Sequence, residues 1–416
     1  MPLSFLADLY QRRGGIKLGI GRVAAAFPFV KERSIPAYHV AGTNGKGTTV
    51  YAIDYLLRTS DLKTGCFISP HIRRFNERIL VNGQSIPDEI AEKTYREIEQ
   101  TIPHFSELSF FEITFLIAWR WWEKESVDRV VVEVGLGGRL DATNVIDWPK
   151  IAVITSIGFD HTHILGKHLE EIAREKLGIV HPGDTLILGP TIDSPLREWM
   201  YSTATTHGAH RIIVSPDQPP ELFIPPTRMV LSREQKANLA IAYTAVKEGE
   251  RSAISPNFEA LVVPGRFQYL GERIILDVAH NPPAMRSLSA HLADCHITPI
   301  VLFGAMKDKD ITNVLDALAP VSHSIIPIHL KGDGDRGASV EEIVRRAPET
   351  IRNRLMCFAN DEEAIDCAVS SLIENPSLKL LVTGSFFTVS RFLDFLETPR
   401  GRHLAADLHL PPVSLE

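Results

Sequence analysis

Short runs of β-branched and other apolar residues, at 38–41, 63–69, 129–134, 151–156, 185–188 and 211–214, alternate with longer stretches in which apolar positions recur every three or four residues. Runs of that length bounded by turn residues fit strands buried on both faces of a parallel sheet, and the periodic stretches fit the helices that cover them. Helices are expected over 49–58, over 110–119, from Leu169, and over 232–247, where Gln235 and Asn238 share a face. Ser85-Ile86-Pro87-Asp88 reads as a capping box that starts a further helix carrying Ile90, Tyr95, Ile98 and Ile102 along one side. The charged run 73–78 reads as a solvated face, and the proline-rich stretch 215–227 as an exposed loop. Residues 1–37 read as a helix, a glycine-broken loop over 14–21 and a second short helix. Past Val263-Pro264-Gly265-Arg266 the alternation starts afresh, with strands at 273–277, 299–303, 324–327 and 379–382. The pattern predicts an α/β protein: a doubly wound N-terminal domain, residues 1–266, and a smaller Rossmann-like α/β domain, residues 267–416.

A chain of 416 residues exceeds the size at which single cores stop growing, which agrees with two domains. A formal charge of −7 speaks against a general nucleic-acid binder, so any anionic ligand has to be met by local positive charge. Four cysteines without a C-x-x-C pair suit reduced thiols. No apolar run approaches the roughly 18 residues of a membrane span, and the N-terminus lacks the basic and apolar segments of a leader. A cytoplasmic protein without membrane or nucleic-acid partners is expected, acting as a monomer.

The densest candidate chemistry follows the first strand. In Gly42-Thr43-Asn44-Gly45-Lys46-Gly47-Thr48-Thr49 the glycines let backbone N–H groups approach an anion, Lys46 supplies a mobile charge, and Thr48 or Thr49 offers a hydroxyl for Mg²⁺. The strict G-x-x-x-x-G-K-[ST] pattern is not met, because Val40 replaces its first glycine and Gly47 precedes Thr48. The plainer alternative is a glycine turn with a surface lysine. Ser69, Glu133 and His161 each fall at or just past a predicted strand end, the edge at which doubly wound sheets gather ligands. Singly, they also read as a turn serine, a strand-end ion pair and a core histidine. Asp277 and His280 form a similar strand-end pair in the second domain, and Glu112 is an unexpected acid in an apolar helix. A Cys or Ser nucleophile with a partner His is not evident.

The cradle, Ser69-Pro70-His71 with Asn76-Glu77-Arg78, the block from Val132 to Asn144 (Val-Glu-Val-Gly-Leu-Gly-Gly-Arg-Leu-Asp-Ala-Thr-Asn), and Asp277-Val278-Ala279-His280-Asn281-Pro282 together resemble the folylpolyglutamate synthase and dihydrofolate synthase family of Mur-type ligases. Segments 303–310 and 382–385 resemble the family as well. The resemblance implies an ATP-dependent ligase that phosphorylates a carboxylate of dihydropteroate or a folate and lets the amine of L-glutamate displace phosphate. By the same resemblance Asn44, Gly45, Lys46, Gly47 and Thr48 hold the ATP phosphates, and Asn238, Arg266, Asp277 and His280 add nucleotide contacts. Ser69 and Glu133 bind one Mg²⁺ and His161 a second. Lys176 of Glu175-Lys176-Leu177-Gly178 is carbamylated into a metal ligand, with Leu177 in place of the usual alanine. Lys46, Lys176 and His161 are then the catalytic set. Leu18, Gly19, Phe111, Glu112, Thr114, Leu140, Asp141 and Ala142 form the pterin pocket. The usual His-Gln pair reads Glu234-Gln235. Closure of the second domain over the first is expected, because an exposed acyl phosphate hydrolyses. Two other readings are another Mur-type amino-acid ligase and a P-loop NTPase switch without ligase chemistry.

Overall fold

The computed structural model describes residues 4–12, 17–219, 231–250, 254–255, 257–330 and 336–412. Residues 14–16 of the glycine loop and 220–227 of the proline-rich stretch lie outside these. The chain forms two compact units, one of Met1–Met229 with Arg233–Leu261, the other of Val230–Ser232 with Val262–Glu416.

The first unit carries strands β1 (Ala37–Ala41), β2 (Thr64–Phe67), β3 (Ile79–Val81), β4 (Gln84–Ser85), β5 (Arg129–Glu133), β6 (Ile151–Ile154), β7 (Thr185–Leu188) and β8 (Arg211–Val214). They form one sheet in the order β4-β3-β2-β5-β1-β6-β7-β8. From β2 to β8 all neighbours pair in parallel, and β3 and β4 add an antiparallel edge. β1 is buried along its whole length, as a central strand covered on both faces must be. One apolar cluster joins Phe67, Val130 and Val132 to Phe115, Trp119 and Trp122 of the helix Phe110–Glu125. Another joins Ala152, Ile154 and Leu186 to Ala173 and Leu177 of the helix Leu169–Leu177 and to Met200.

The second unit is a five-stranded sheet, β12 (Ser324–Pro327), β11 (Ile300–Phe303), β13 (Leu380–Thr383), β10 (Ile274–Leu276) and β9 (Gln268–Leu270) in that order. It is parallel except for β9, an antiparallel edge strand. Val301, Phe303, Ile325 and Leu381 meet Leu292, Leu315 and Ile343 in its core.

Three local expectations are corrected. The helix Asp88–Thr101 begins after Pro87 with no side-chain cap, because Ser85 pairs in β4 instead, and its buried side runs through Ala91, Thr94, Tyr95 and Ile98 and leaves Ile90 exposed. The run 73–78 is not a solvated face. Its centre is a tight 3₁₀ turn, Phe75–Arg78, in which Asn76 and Arg78 are buried, while the Glu77 carboxylate accepts from the N–H groups of Ile72, Arg73 and Arg74 at 2.6–2.9 Å. The β3–β4 hairpin and β9 are additions to the expected strands.

Candidate functional site

β1 ends between β5 and β6, in a register that sets Val40 beside Glu133 and Ala41 beside Ile154. Whatever follows β1 therefore emerges between the ends of both neighbours. Gly42 (φ +153°) and Gly45 (φ +88°) hold conformations that side chains rarely adopt, and a Cβ on either would collide, with the Thr155 hydroxyl and the Asn238 amide respectively. Gly45 caps the helix Lys46–Arg58, which starts three residues before the expected Thr49 and so puts Gly47 and Thr48 in its first turn, at the positive end of its dipole. The loop is laced to the end of β6. Thr43 N–H donates to Ser156 O at 2.9 Å, the Thr43 hydroxyl bonds both the N–H and the carbonyl of Gly158, and Thr155 Oγ1 donates to Asn44 O at 2.7 Å. Sequence reasoning missed Thr155, Ser156 and Gly158, although their place just past an apolar run was a usable signal.

Two lysines converge on one carbonyl. Lys46 Nζ and Lys176 Nζ each donate to Gly42 O at 3.0 Å. Lys176 is buried. Burial first, and then the neighbouring Lys46 charge, push its pKa down to about 7 against the opposing pull of Asp160, Asp141 and Glu175. Glu133, also buried, accepts the Ser69 N–H at 2.9 Å, so those two predicted residues are brought together. His161 opens the short turn Thr162–Leu165 in a left-handed conformation, with Nε2 3.9 Å from the Asp160 carboxylate.

The block after β5 explains how Lys176 is held. A Cβ on Gly138 would sit 2.7 Å from Glu175 O and 3.1 Å from Lys176 Cα, so only glycine allows this turn to press on the helix that carries the lysine. Asn144 Nδ2 donates to Gly178 O at 2.9 Å, and Arg139 pairs with Glu175 at 2.8 Å. Asp141 is buried, its pKa raised by that burial and opposed by bonds from the Thr143 hydroxyl and the N–H groups of Leu136 and Thr143.

Of the remaining candidates, Gly19 N–H reaches Leu140 O at 3.4 Å, which joins the 17–20 loop to the 135–142 turn, and Leu18 is exposed there. Phe111 lies across Gly135, where a Cβ would stand 2.6 Å from its ring and 3.2 Å from Asp141 Oδ2. Ala142 is buried beside it in the chain. Thr114 is fully buried and bonds its own helix, donating to Phe110 O at 2.7 Å. Glu112 is no oddity in structural terms, since it closes a capping box with Ser109 and pairs with Arg22 at 3.2 Å. Arg22 went unnoticed in the sequence. In the second unit Asp277, at the end of β10, accepts from the N–H groups of Phe267 and Ala279 at 2.8 Å, while His280 Nδ1 lies 2.9 Å from Val278 O and Arg266 lies over the Phe386 ring. Burial raises the Asp277 pKa, and Arg266 opposes this.

Among the described residues no cluster of three His, Cys, Asp or Glu could hold a metal by itself. A hard cation that keeps phosphate oxygens and water in its shell needs no such cluster, and the buried carboxylate of Glu133, paired in register with Val40 just before the glycine cradle, fits it. No described helix is long and apolar enough to cross a membrane.

Residues 40–207 match the Mur ligase middle domain, and residues 265–386 the Mur ligase glutamate ligase domain. A dihydrofolate synthase/folylpolyglutamate synthase of Escherichia coli is 33% identical over 96% of this chain and 95% of its own length. A structure of E. coli FolC in complex with DHPP and ADP is 30% identical, with a TM-score of 0.81 over 95% of this chain and 98% of that one. A bifunctional folylpolyglutamate synthase/dihydrofolate synthase with Mn, AMPPNP and L-glutamate bound is 29% identical, with a TM-score of 0.78 over 99% and 98%. With this cradle, these two units and relatives that match it along almost its whole length, the chain belongs to the dihydrofolate synthase/folylpolyglutamate synthase family of ATP-dependent, amide-forming Mur ligases.

Proposed function

We propose that the protein joins L-glutamate to dihydropteroate, to reduced folates, or to both, through an acyl phosphate. The observation that carries this reading is the meeting of Lys46 and Lys176 on the carbonyl of a phosphate-cradle glycine. A carboxylate at neutral pH is a poor acyl donor. Transfer of the ATP γ-phosphoryl group to a carboxylate oxygen releases ADP and leaves a mixed anhydride. The glutamate amine then attacks its carbonyl carbon, the bond to the phosphate oxygen breaks, the amine gives up a proton, and an amide and inorganic phosphate remain.

The chain's own groups have definable tasks. Backbone N–H groups of 44–48 surround the phosphates, and Lys46 leaves the loop carbonyls to balance charge spreading over the transferred group. Ser69, Glu133 and His161 would hold Mg²⁺, two ions in all, whose chemistry is to neutralise phosphate charge and keep the phosphates in line. An ammonium at Lys176 beside such charges is repelled, so we assign that site to a carbamate. The neutral amine that a pKa near 7 makes available adds to CO₂ and loses a proton, which turns a cation into an anion. Leu18, Gly19, Phe111, Leu140, Asp141 and Ala142 are assigned to the pteridine of the acceptor, with Glu112 and Thr114 shaping the helix behind them. Asn238 is assigned to the nucleotide, and so, from the second unit, are Arg266, Asp277 and His280. Four cysteines, all free, agree with a reducing cytoplasm.

ADP release with dihydropteroate and glutamate, supplied separately and together, tests the reading. Turnover is expected only with both. Equal release without either would mark an NTPase switch, and turnover with a different amino acid would mark another Mur-type ligase.

A further inference from the structure

Two segments assigned to the acceptor, the 17–20 loop and the start of the helix Phe110–Glu125, lie some ninety residues apart in the chain, and one side chain ties them together. Arg22 stands at the second position of the short helix Gly21–Ala26. Its Nη2 donates to Lys17 O at 3.1 Å and lies 3.2 Å from Glu112 Oε1, while Nε donates to Glu112 Oε2 at 3.4 Å. Glu112 is 2% exposed, and its Oε2 also accepts the Ser109 N–H at 2.7 Å, so the carboxylate serves the helix cap and the guanidinium at once. The loop is also bonded to Leu140 O through the Gly19 N–H, and Phe111, next to Glu112 in the chain, lays its ring over Gly135.

We infer that Arg22 is a positioning residue for the acceptor. It latches the 17–20 loop onto the capped end of the helix, and so sets Leu18 and Gly19 against Phe111, Leu140 and Asp141. The inference deepens the functional reading and rests on its assignment of these residues to the pteridine. The physical case lies in what each partner lacks without the guanidinium. The Glu112 carboxylate is shut from water and among the described residues has this one cation against it, and the tie of the described loop residues to the 135–142 turn is a long one, 3.4 Å. Gly19 has φ +115° with nothing within 4 Å of a Cβ, so at Gly19 the loop's path is held by backbone and hydrogen bonds, while Ile20 packs against the core. A planar fork that reaches a carboxylate and a carbonyl together is a task for Arg and not for Lys.

The test is steady-state kinetics of Arg22→Ala, Arg22→Lys and Leu18→Ala in the full chain, with melting temperatures measured alongside. For Arg22→Ala the KM for the pteridine acceptor is expected to rise about tenfold or more, with KM for ATP and kcat within about twofold. Arg22→Lys, which keeps the charge and loses the fork, should recover part of the loss. Leu18→Ala alters an exposed side chain and checks the pocket assignment independently. If Leu18→Ala raises the acceptor KM and Arg22→Ala does not, the latch is wrong and the pocket stands. If neither moves it, the pocket assignment falls and the latch with it. If Arg22→Ala lowers kcat and raises both KM values together, or Arg22→Lys restores nothing, the residue holds the fold and not the acceptor.

Discussion

Lys176 is a lysine whose charge the fold opposes. Its amine sits in a buried place with Lys46 as a neighbour, and its pKa falls from 10.5 in the open chain to about 7. Between these values the unfolded chain holds a proton that the folded one has released, so folding releases a proton and stability rises with pH across the window from about 7 to 10.5; below 7 both states are protonated and the full penalty remains. In CO₂-depleted buffer the melting temperature of the wild type, relative to Lys176→Met, should therefore climb between pH 7 and pH 9. A flat difference would mean that the amine is not desolvated as described. In bicarbonate the same amine should carry a carbamate. Lys176→Ala should then lose most ligase activity, with about a hundredfold drop in kcat and a retained fold, and short carboxylic acids should restore part of it. Full activity in that variant would remove the carbamate from the mechanism. At this scale the sequence shows which residues are unusual and not always why. Glu112 stands out as an acid in an apolar run, yet its reason is a cap three residues away and an arginine ninety residues away, and only the second needs a structure to be found.

The strand, glycine turn and helix around Lys46 are legible as one element because each part has a local signature, namely an apolar run, glycines and a helix-forming sequence. The contacts that fix the turn are not, because they come from the loop after β6 and from Asn238 of the helix Arg233–Gly249, which lies over Gly45, and no local pattern connects either to it. The hairpin of β3 and β4 fails differently. Asn82 and Gly83, both at positive φ, are a standard two-residue turn signal, but the charged run before them draws the eye to a solvated surface. β9, Gln268–Leu270, opens on a polar residue and buries only its last, so no apolar run marks it. The cradle turn makes a prediction of its own. Gly45→Ala adds a left-handed alanine, at a cost of about 1–2 kcal/mol, and drives its methyl into the Asn238 amide. Nucleotide-dependent activity should fall and the melting temperature should drop by about 5 °C or more. In an Asn238→Ala background the collision is gone while the backbone cost stays, so the drop should shrink, with a coupling of about 1 kcal/mol. Strict additivity would mean that Asn238 does not fill the space above Gly45.

For the molecule as a whole, the strand and helix rhythm of the sequence restarts near Gly265, and each of the two compact units, the second of which takes up the chain from Val262, has a core of its own. Two cores need not melt together, and a single stability then has no defined value. The family resemblance gives the nucleotide contacts from both units, a claim that thermodynamic linkage can test without any image of the complex. A ligand raises the stability of whatever it binds by about 2.7 kcal/mol at a hundred times its Kd, and leaves alone a unit it does not touch. Calorimetry with AMPPNP and Mg²⁺ should move both transitions upward if Arg266, Asp277 and His280 share the nucleotide with the cradle. Arg266→Ala should then remove most of the shift from the second unit's transition and little from the first. Lys46→Ala should remove it from both if the cradle supplies the phosphate contacts proposed for it. A shift confined to the first unit, unchanged by Arg266→Ala, would restrict nucleotide binding to the cradle side and leave the second unit's strand-end cluster of Arg266, Asp277 and His280 to a different ligand of the reaction, the glutamate.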